Sequence, residues 1–171
     1  MTTRPAASRG SRRGRLVLAG ASAAAVLVAD QVTKHLAVDD LAGGPVHLLG
    51  PLSLRLEYNT GIAFSLGAGR AWPVALALLA LAGVLAWFVR GGHSAVSAAA
   101  LGMILGGALG NLADRVFRHP RGAPGGVVDF VQAVSWWPVF NVADAAIVVG
   151  VAVLILAYWL QDRSPDRPAG G

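Results

Sequence analysis

Apolar residues along this chain gather into four long runs, at about Leu16–Leu36, Ala71–Val89, Ala95–Leu112 and Val142–Leu160. Each comes close to the roughly 20 residues that a helix needs to cross a bilayer core. The pattern therefore predicts four transmembrane helices. Between the first two runs, the segment LSLRLEYN follows a different rule. Leu52, Leu54, Leu56 and Tyr58 alternate with Ser53, Arg55, Glu57 and Asn59. Period two predicts a half-buried strand. A strand beside four spans predicts a small β-sheet cradle on the outer membrane surface, with turns at Gly61, Gly67 and Gly69. The expected fold class is an all-α membrane protein with this one β addition. Residues 1–14 read as a disordered Arg-rich cytoplasmic tail, 15–162 as the four-helix domain, and 163–171 as a second disordered cytoplasmic tail.

Composition agrees with the pattern. Of 171 residues, 55% are hydrophobic and only 13% charged, and mean hydropathy is +0.59, a balance foreign to ordinary soluble domains. The net charge of +5 does not point to nucleic acid. Arg4, Arg9, Arg12, Arg13 and Arg15 crowd in front of the first apolar run, where basic residues mark the cytoplasmic side. An even number of spans then puts both termini inside and the connections 37–70 and 113–141 outside. A cleaved signal peptide is the alternative for the first run, but its helical register continues through Asp30 and Lys34. The chain has no cysteine, which excludes disulfides, thiolate metal sites and a cysteine nucleophile.

Ionisable groups are expensive in a membrane and default to functional hypotheses. Asp30 and Lys34 stand four apart on one helix face, which fits a local ion pair or a support for a nearby site. Asn111, Asp114 and Arg115 share a face at the end of the third run, where a helix-ending ion pair and a catalytic role are both open. Gly102, Gly106 and Gly110 recur every four residues, as in rows that let helices approach closely. In FNVAD, Asn141 is placed to cap the fourth helix, with Asp144 at the third helical position. Asp144 could serve there only to complement the helix dipole. Asp129 has no such local role. It lies among Val127, Val128, Phe130 and Val131, and a carboxylate in that company needs a partner or a proton. Two carboxylates sharing one proton can activate water for hydrolysis. The histidines show no ligand spacing, and neither G-x-S-x-G nor H-E-x-x-H occurs. Trp136 and Trp137 fit an interfacial aromatic belt.

Five segments in order, DQVTK (Asp30–Lys34), YNTGIAF (Tyr58–Phe64), GGALGNLADRV (Gly106–Val116), VVDF (Val127–Phe130) and FNVADA (Phe140–Ala145), resemble the boxes of the bacterial lipoprotein signal peptidase (type II signal peptidase) family over about residues 15–160. The resemblance implies a membrane-embedded aspartyl endopeptidase of the bacterial plasma membrane, without cofactor or metal. Such an enzyme cuts prolipoproteins just before a diacylglyceryl-modified cysteine. It implies that Asp129 and Asp144 form the catalytic pair, and that Asp30, Lys34, Asn59, Gly61, Asn111, Asp114, Arg115 and Asn141 support it or bind substrate. The expected partners are lipidated prolipoproteins and membrane lipids, for a monomeric enzyme that works near the outer face. The Arg-rich N-terminal extension and the stretch RHPRGAPGG before VVDF depart from the family pattern. Two rival readings use the same aspartates: a small membrane transporter relaying protons, and a metal-dependent lipid head-group transferase.

Overall fold

The computed structural model describes residues 9–60, 83, 94–118 and 126–162. Three helices carry most of them: α1 (Arg9–Asp40), α2 (Ala95–Phe117) and α3 (Val142–Asp162). Three strands, β1 (Val46–Leu49), β2 (Leu52–Asn59) and β3 (Val127–Gln132), form one antiparallel sheet in the order β1-β2-β3. All three helices are long and apolar enough to cross a membrane, over Arg12–Asp40, Ala95–Phe117 and Val142–Leu160. Apart from Gly83, the second expected span lies outside the described residues, as do Gly61, Gly67 and Gly69. The expected four-helix membrane fold is thus met as a membrane-type fold of three apolar helices and a small sheet.

Polarity is distributed inside out. Val148 is 68% exposed, Ile155 65% and Tyr158 70%, whereas Asp30 and Lys34 are fully buried. In water this arrangement would be strongly unfavourable. In lipid it is the expected one, because the solvent is itself apolar. Helix α1 begins at Arg9, inside the segment read as a disordered tail. Extending an existing helix by a turn is far easier than nucleating one, and arginine is a good helix former.

Glycines set how the helices meet. A Cβ on Gly102 would collide with the Ala19 carbonyl of α1, one on Gly106 with the Ala23 carbonyl, and one on Gly110 with the Asp30 carboxylate. The expected small-residue row is therefore the α1–α2 seam, and it shows the two helices running parallel. Gly107 faces Ala143 and Ile147 of α3, while Gly150 of α3 faces Ala100 and Ile104, so α2 and α3 run antiparallel. The C-terminal ends of α1 and α2 and the N-terminal end of α3 gather at one end of the bundle. The sheet sits there, held by a cluster of Ala37, Leu41, Val128 and Phe130 with Leu54 and Leu56 packed on it.

The sheet departs from simple alternation. Ser53 pairs with Gln132 and Glu57 with Asp129, with a register shift between Leu54 and Glu57. Gln132 and Asp129 are three apart and point to opposite faces. The bulge therefore splits the expected polar set. Glu57 and Asn59 share the Asp129 face, while Ser53, 4% exposed, turns to the other. The observed turns use Gly44 and Gly50, at φ 125° and 53°. Gly50 closes the β1–β2 hairpin, where a side chain would strain that left-handed conformation.

Candidate active site

The site begins with a local device. Asn141 caps α3 by accepting the Asp144 N–H on Oδ1 at 2.9 Å, and Asp144 Oδ2 accepts the Asn141 N–H in return at 3.3 Å. This reciprocal capping box fixes the Asp144 carboxylate over the first turn, where unpaired N–H groups favour negative charge. The segment before it is pinned as well. Phe140 exchanges backbone hydrogen bonds with Val131, its N–H donating at 3.0 Å and its carbonyl accepting the Val131 N–H at 2.8 Å. The loop that leaves β3 is thereby closed, and Asn141 is set beside Asp129. Trp136 and Trp137 stand out of this loop in an edge-to-face pair with centroids 5.6 Å apart. They are 77% and 50% exposed.

Asn141 joins the two carboxylates. Its Nδ2 donates to Asp129 Oδ1 at 2.6 Å and to the Val128 carbonyl at 3.3 Å, while its Oδ1 and N–H serve Asp144. From β2, Asn59 Nδ2 donates to Asp129 Oδ2 at 3.2 Å. Asn111 of α2 donates from Nδ2 to Asp144 Oδ1 at 2.8 Å, and its Oδ1 accepts from Asn141 Nδ2 at 3.1 Å and from Lys34 Nζ at 2.9 Å. An ammonium can only donate, so Lys34 holds the Asn111 oxygen toward itself and turns the amide NH₂ toward Asp144.

Behind this layer lies a buried charge cluster. Lys34 Nζ is 2.8 Å from Asp30 Oδ2 and 3.0 Å from Asp114 Oδ2, with all three side chains fully enclosed. With Asn111, these acceptors satisfy all three ammonium donors. The other oxygen of Asp30 accepts the Ala143 N–H at 2.9 Å, so α1 caps α3 from a distance. Asp114 accepts the Val128 N–H at 3.1 Å and ties the end of α2 to β3 next to Asp129. The Asp30–Lys34 ion pair thus reaches beyond α1, touching Asp114 of α2 and the first turn of α3.

Nearly every residue expected at the site converges here. Asp30, Lys34, Asn59, Asn111, Asp114, Asp129, Asn141 and Asp144 form one connected network. Arg115 donates to the Asn111 carbonyl at 3.3 Å and interacts electrostatically with Asp144, Asp129 and Asp114. Gly61 lies outside the described residues. Two members escaped the sequence reading. Gln31 Nε2 bridges Asp30, Asp114 and the Gly110 carbonyl, and Arg118 Nε meets Asp114 Oδ1 at 3.1 Å. The spacing of Arg118 four after Asp114 was a legible signal. For Gln31 the only hint was its place beside Asp30.

Electrostatics single out Asp129. Burial, reinforced by the nearby Asp144 charge, pushes the Asp129 carboxyl from 3.8 up to about 7. Hydrogen bonds from Asn59 and Asn141 and the charge of Lys34 act in the opposite direction without cancelling it. Near neutral pH a proton therefore resides readily on Asp129, the state in which it can donate a hydrogen bond. Among the described residues, no group of three His, Asp or Glu side chains is arranged to hold a metal ion.

Fold and site together define a membrane protein whose paired aspartates, one of them inclined to hold a proton, wait at the end of a helical bundle. A family model described as signal peptidase (SPase) II matches residues 22–160. The chain is 48% identical over 154 residues to the lipoprotein signal peptidase of Rhodococcus jostii (strain RHA1), covering 87% of this chain and 75% of that protein. It is 46% identical over 150 residues to that of Mycobacterium avium (strain 104), covering 86% and 81%. Its fold is similar to a bacterial membrane enzyme solved by the in meso method at 2.3 Å, with a TM-score of 0.75 at 25% identity over 90% of this chain and 93% of that one. The chain belongs to the signal peptidase II family.

Proposed function

We propose that this protein is a membrane-embedded aspartic endopeptidase that removes signal peptides from prolipoproteins, cutting just before the diacylglyceryl-modified cysteine. The observation that carries the reading is the pair Asp129 and Asp144, joined through one asparagine and differing in environment. Asp144, at the helix N-terminus, draws a proton from water. The water oxygen attacks the scissile carbonyl, and protonated Asp129 hydrogen-bonds the carbonyl oxygen as charge develops there. Collapse of the tetrahedral intermediate breaks the C–N bond, and the departing amine takes the proton held by Asp144. Asn111 and Asn141 hold the carboxylates, Lys34 holds Asn111, and Asp30 and Asp114 hold the α3 and β3 backbones.

A site at the end of the helical bundle fits a substrate that is itself a membrane helix with lipid at one end. Both termini are cytoplasmic in this proposal, and the sheet end of the bundle faces outward. The chain leaves β2 at that end and re-enters α2 at the opposite one. The apolar run Ala71–Val89 has the length for a fourth span that makes the return. The enzyme acts as a monomer in the plasma membrane and takes lipidated prolipoproteins as substrates. The transporter and head-group transferase readings gain no support from the relatives.

The test is cleavage of a lipidated prolipoprotein by the purified protein in detergent, scored by gel shift. Asp129→Asn and Asp144→Asn should each reduce turnover by about 10³-fold or more while the protein stays folded. Near-normal turnover in either variant would remove that residue from the pair.

A further inference from the structure

A second polar constellation lies on the sheet face turned away from the aspartates. His47 of β1 pairs with Ser53 of β2, and Ser53 pairs with Gln132 of β3. Directly paired residues share a face, so these three side chains form one row across all three strands. The Ser53 hydroxyl donates to Gln132 Oε1 at 3.3 Å, which leaves the Gln132 NH₂ directed away from that bond. The row and Arg55 line an open cleft of about 330 Å³ together with Leu41, Gly44, Pro45 and Leu56. The catalytic network contains none of these residues.

From this arrangement we propose that the cleft binds the phosphate-ester headgroup of an anionic phospholipid. Its donors suit that chemistry. A guanidinium forks onto two phosphate oxygens, and the Gln132 NH₂ and the His47 imidazole N–H add weaker donors, the Ser53 proton being already given to Gln132. The volume is near the lower end for ligand sites, which suits a headgroup rather than a large soluble ligand. The lipid source is favoured by the neighbouring strand. On β1, Leu48 and Leu49 are 52% and 82% exposed, an apolar edge suited to the acyl chains that a headgroup in the cleft would bring with it. Glu57 opposes the site weakly. It lies 3.6 Å from Arg55 Nη2 in a half-exposed pair, a contact too solvated to hold the guanidinium against a phosphate.

The full chain purified in detergent can be titrated with phosphatidylglycerol and, separately, phosphatidylcholine, with bound lipid counted by native mass spectrometry. Phosphatidylglycerol should bind in preference, and glycerol phosphate should displace it. Arg55→Gln should weaken binding by about tenfold, the effect of losing one charge-assisted pair. Glu57→Gln should strengthen it by about two- to threefold, a gain that a folding defect would not mimic. Equal binding of both lipids, or equal phosphatidylglycerol binding by the parent and Arg55→Gln, would overturn the proposal. Binding of inorganic phosphate without retention of phosphatidylglycerol would assign the cleft to a soluble phosphate and overturn the lipid assignment.

Discussion

Asp129 offers a test that needs no catalytic turnover. The residue is 2% exposed and its carboxyl, through burial first and the Asp144 charge second, is raised from 3.8 to about 7. Between those values the folded protein keeps a proton that the unfolded chain has released. The folded state then binds more protons, so stability falls as pH rises through the window, and is level below and above it. Each pH unit inside the window is worth about 1.4 kcal/mol. Integrated from 3.8 to about 7, the penalty near neutrality reaches about 4 kcal/mol as an upper bound. Asp129→Asn removes the titration. The new amide can still accept from Asn141 but presents an NH₂ to Asn59, which adds a pH-independent offset. Unfolding in detergent, followed by tryptophan fluorescence from pH 4 to 9, should therefore show a characteristic difference between variant and parent. The variant should gain on the parent by about 1.4 kcal/mol per pH unit up to about pH 7 and hold that gain above it. A difference that stays flat between pH 4 and 7 would refute a buried, proton-holding Asp129. A slope of opposite sign would mean that the site stabilises the ionised form.

Two further outcomes follow from the same geometry. Lys34→Met leaves Asp30 and Asp114 facing each other, both fully buried. It should destabilise the protein by about 3 kcal/mol or more, and adding Asp30→Asn should recover part of the loss; a loss below about 1 kcal/mol would show that water reaches the cluster. For topology, cysteines introduced at Gly43, exposed in the turn between α1 and β1, and at Arg12, exposed at the far end of α1, should differ in labelling of intact cells. A membrane-impermeant thiol reagent should reach the first and not the second, and the reverse pattern would invert the proposed orientation.

Much of this protein is legible in residue spacing alone. The apolar runs at Leu16–Leu36, Ala95–Leu112 and Val142–Leu160 are visible because a membrane helix must satisfy its backbone internally and show lipid an apolar surface. The Asp30–Lys34 pair, the shared face of Asn111, Asp114 and Arg115, and the Asn141 cap over Asp144 are contacts within one or two helical turns. Their geometry follows from 3.6 residues per turn, whatever the rest of the chain does. The five family boxes named Asn59, Asn111, Asp129 and Asn141 together, and the structure brings these residues into one hydrogen-bonded network.

What packing decided involves partners far apart along the chain. That Asp30 caps α3 through the Ala143 N–H, across 113 positions, depends on how closely α1, α2 and α3 approach. That approach depends in turn on which carbonyl lies over Gly102, Gly106 and Gly107. Gln31 gave no periodic signal, since its three acceptors come from α1 and α2 together. The alternation in β2 was readable, but the bulge between Leu54 and Glu57 was not, because register is settled by the partner strand. That single shift puts Asn59 beside Asp129 and turns Ser53 toward Gln132 on the opposite face. Local periodicity has no term for a neighbour that arrives from another element, and the Asp129 carboxyl is pushed upward because such neighbours bury it and bring the Asp144 charge close.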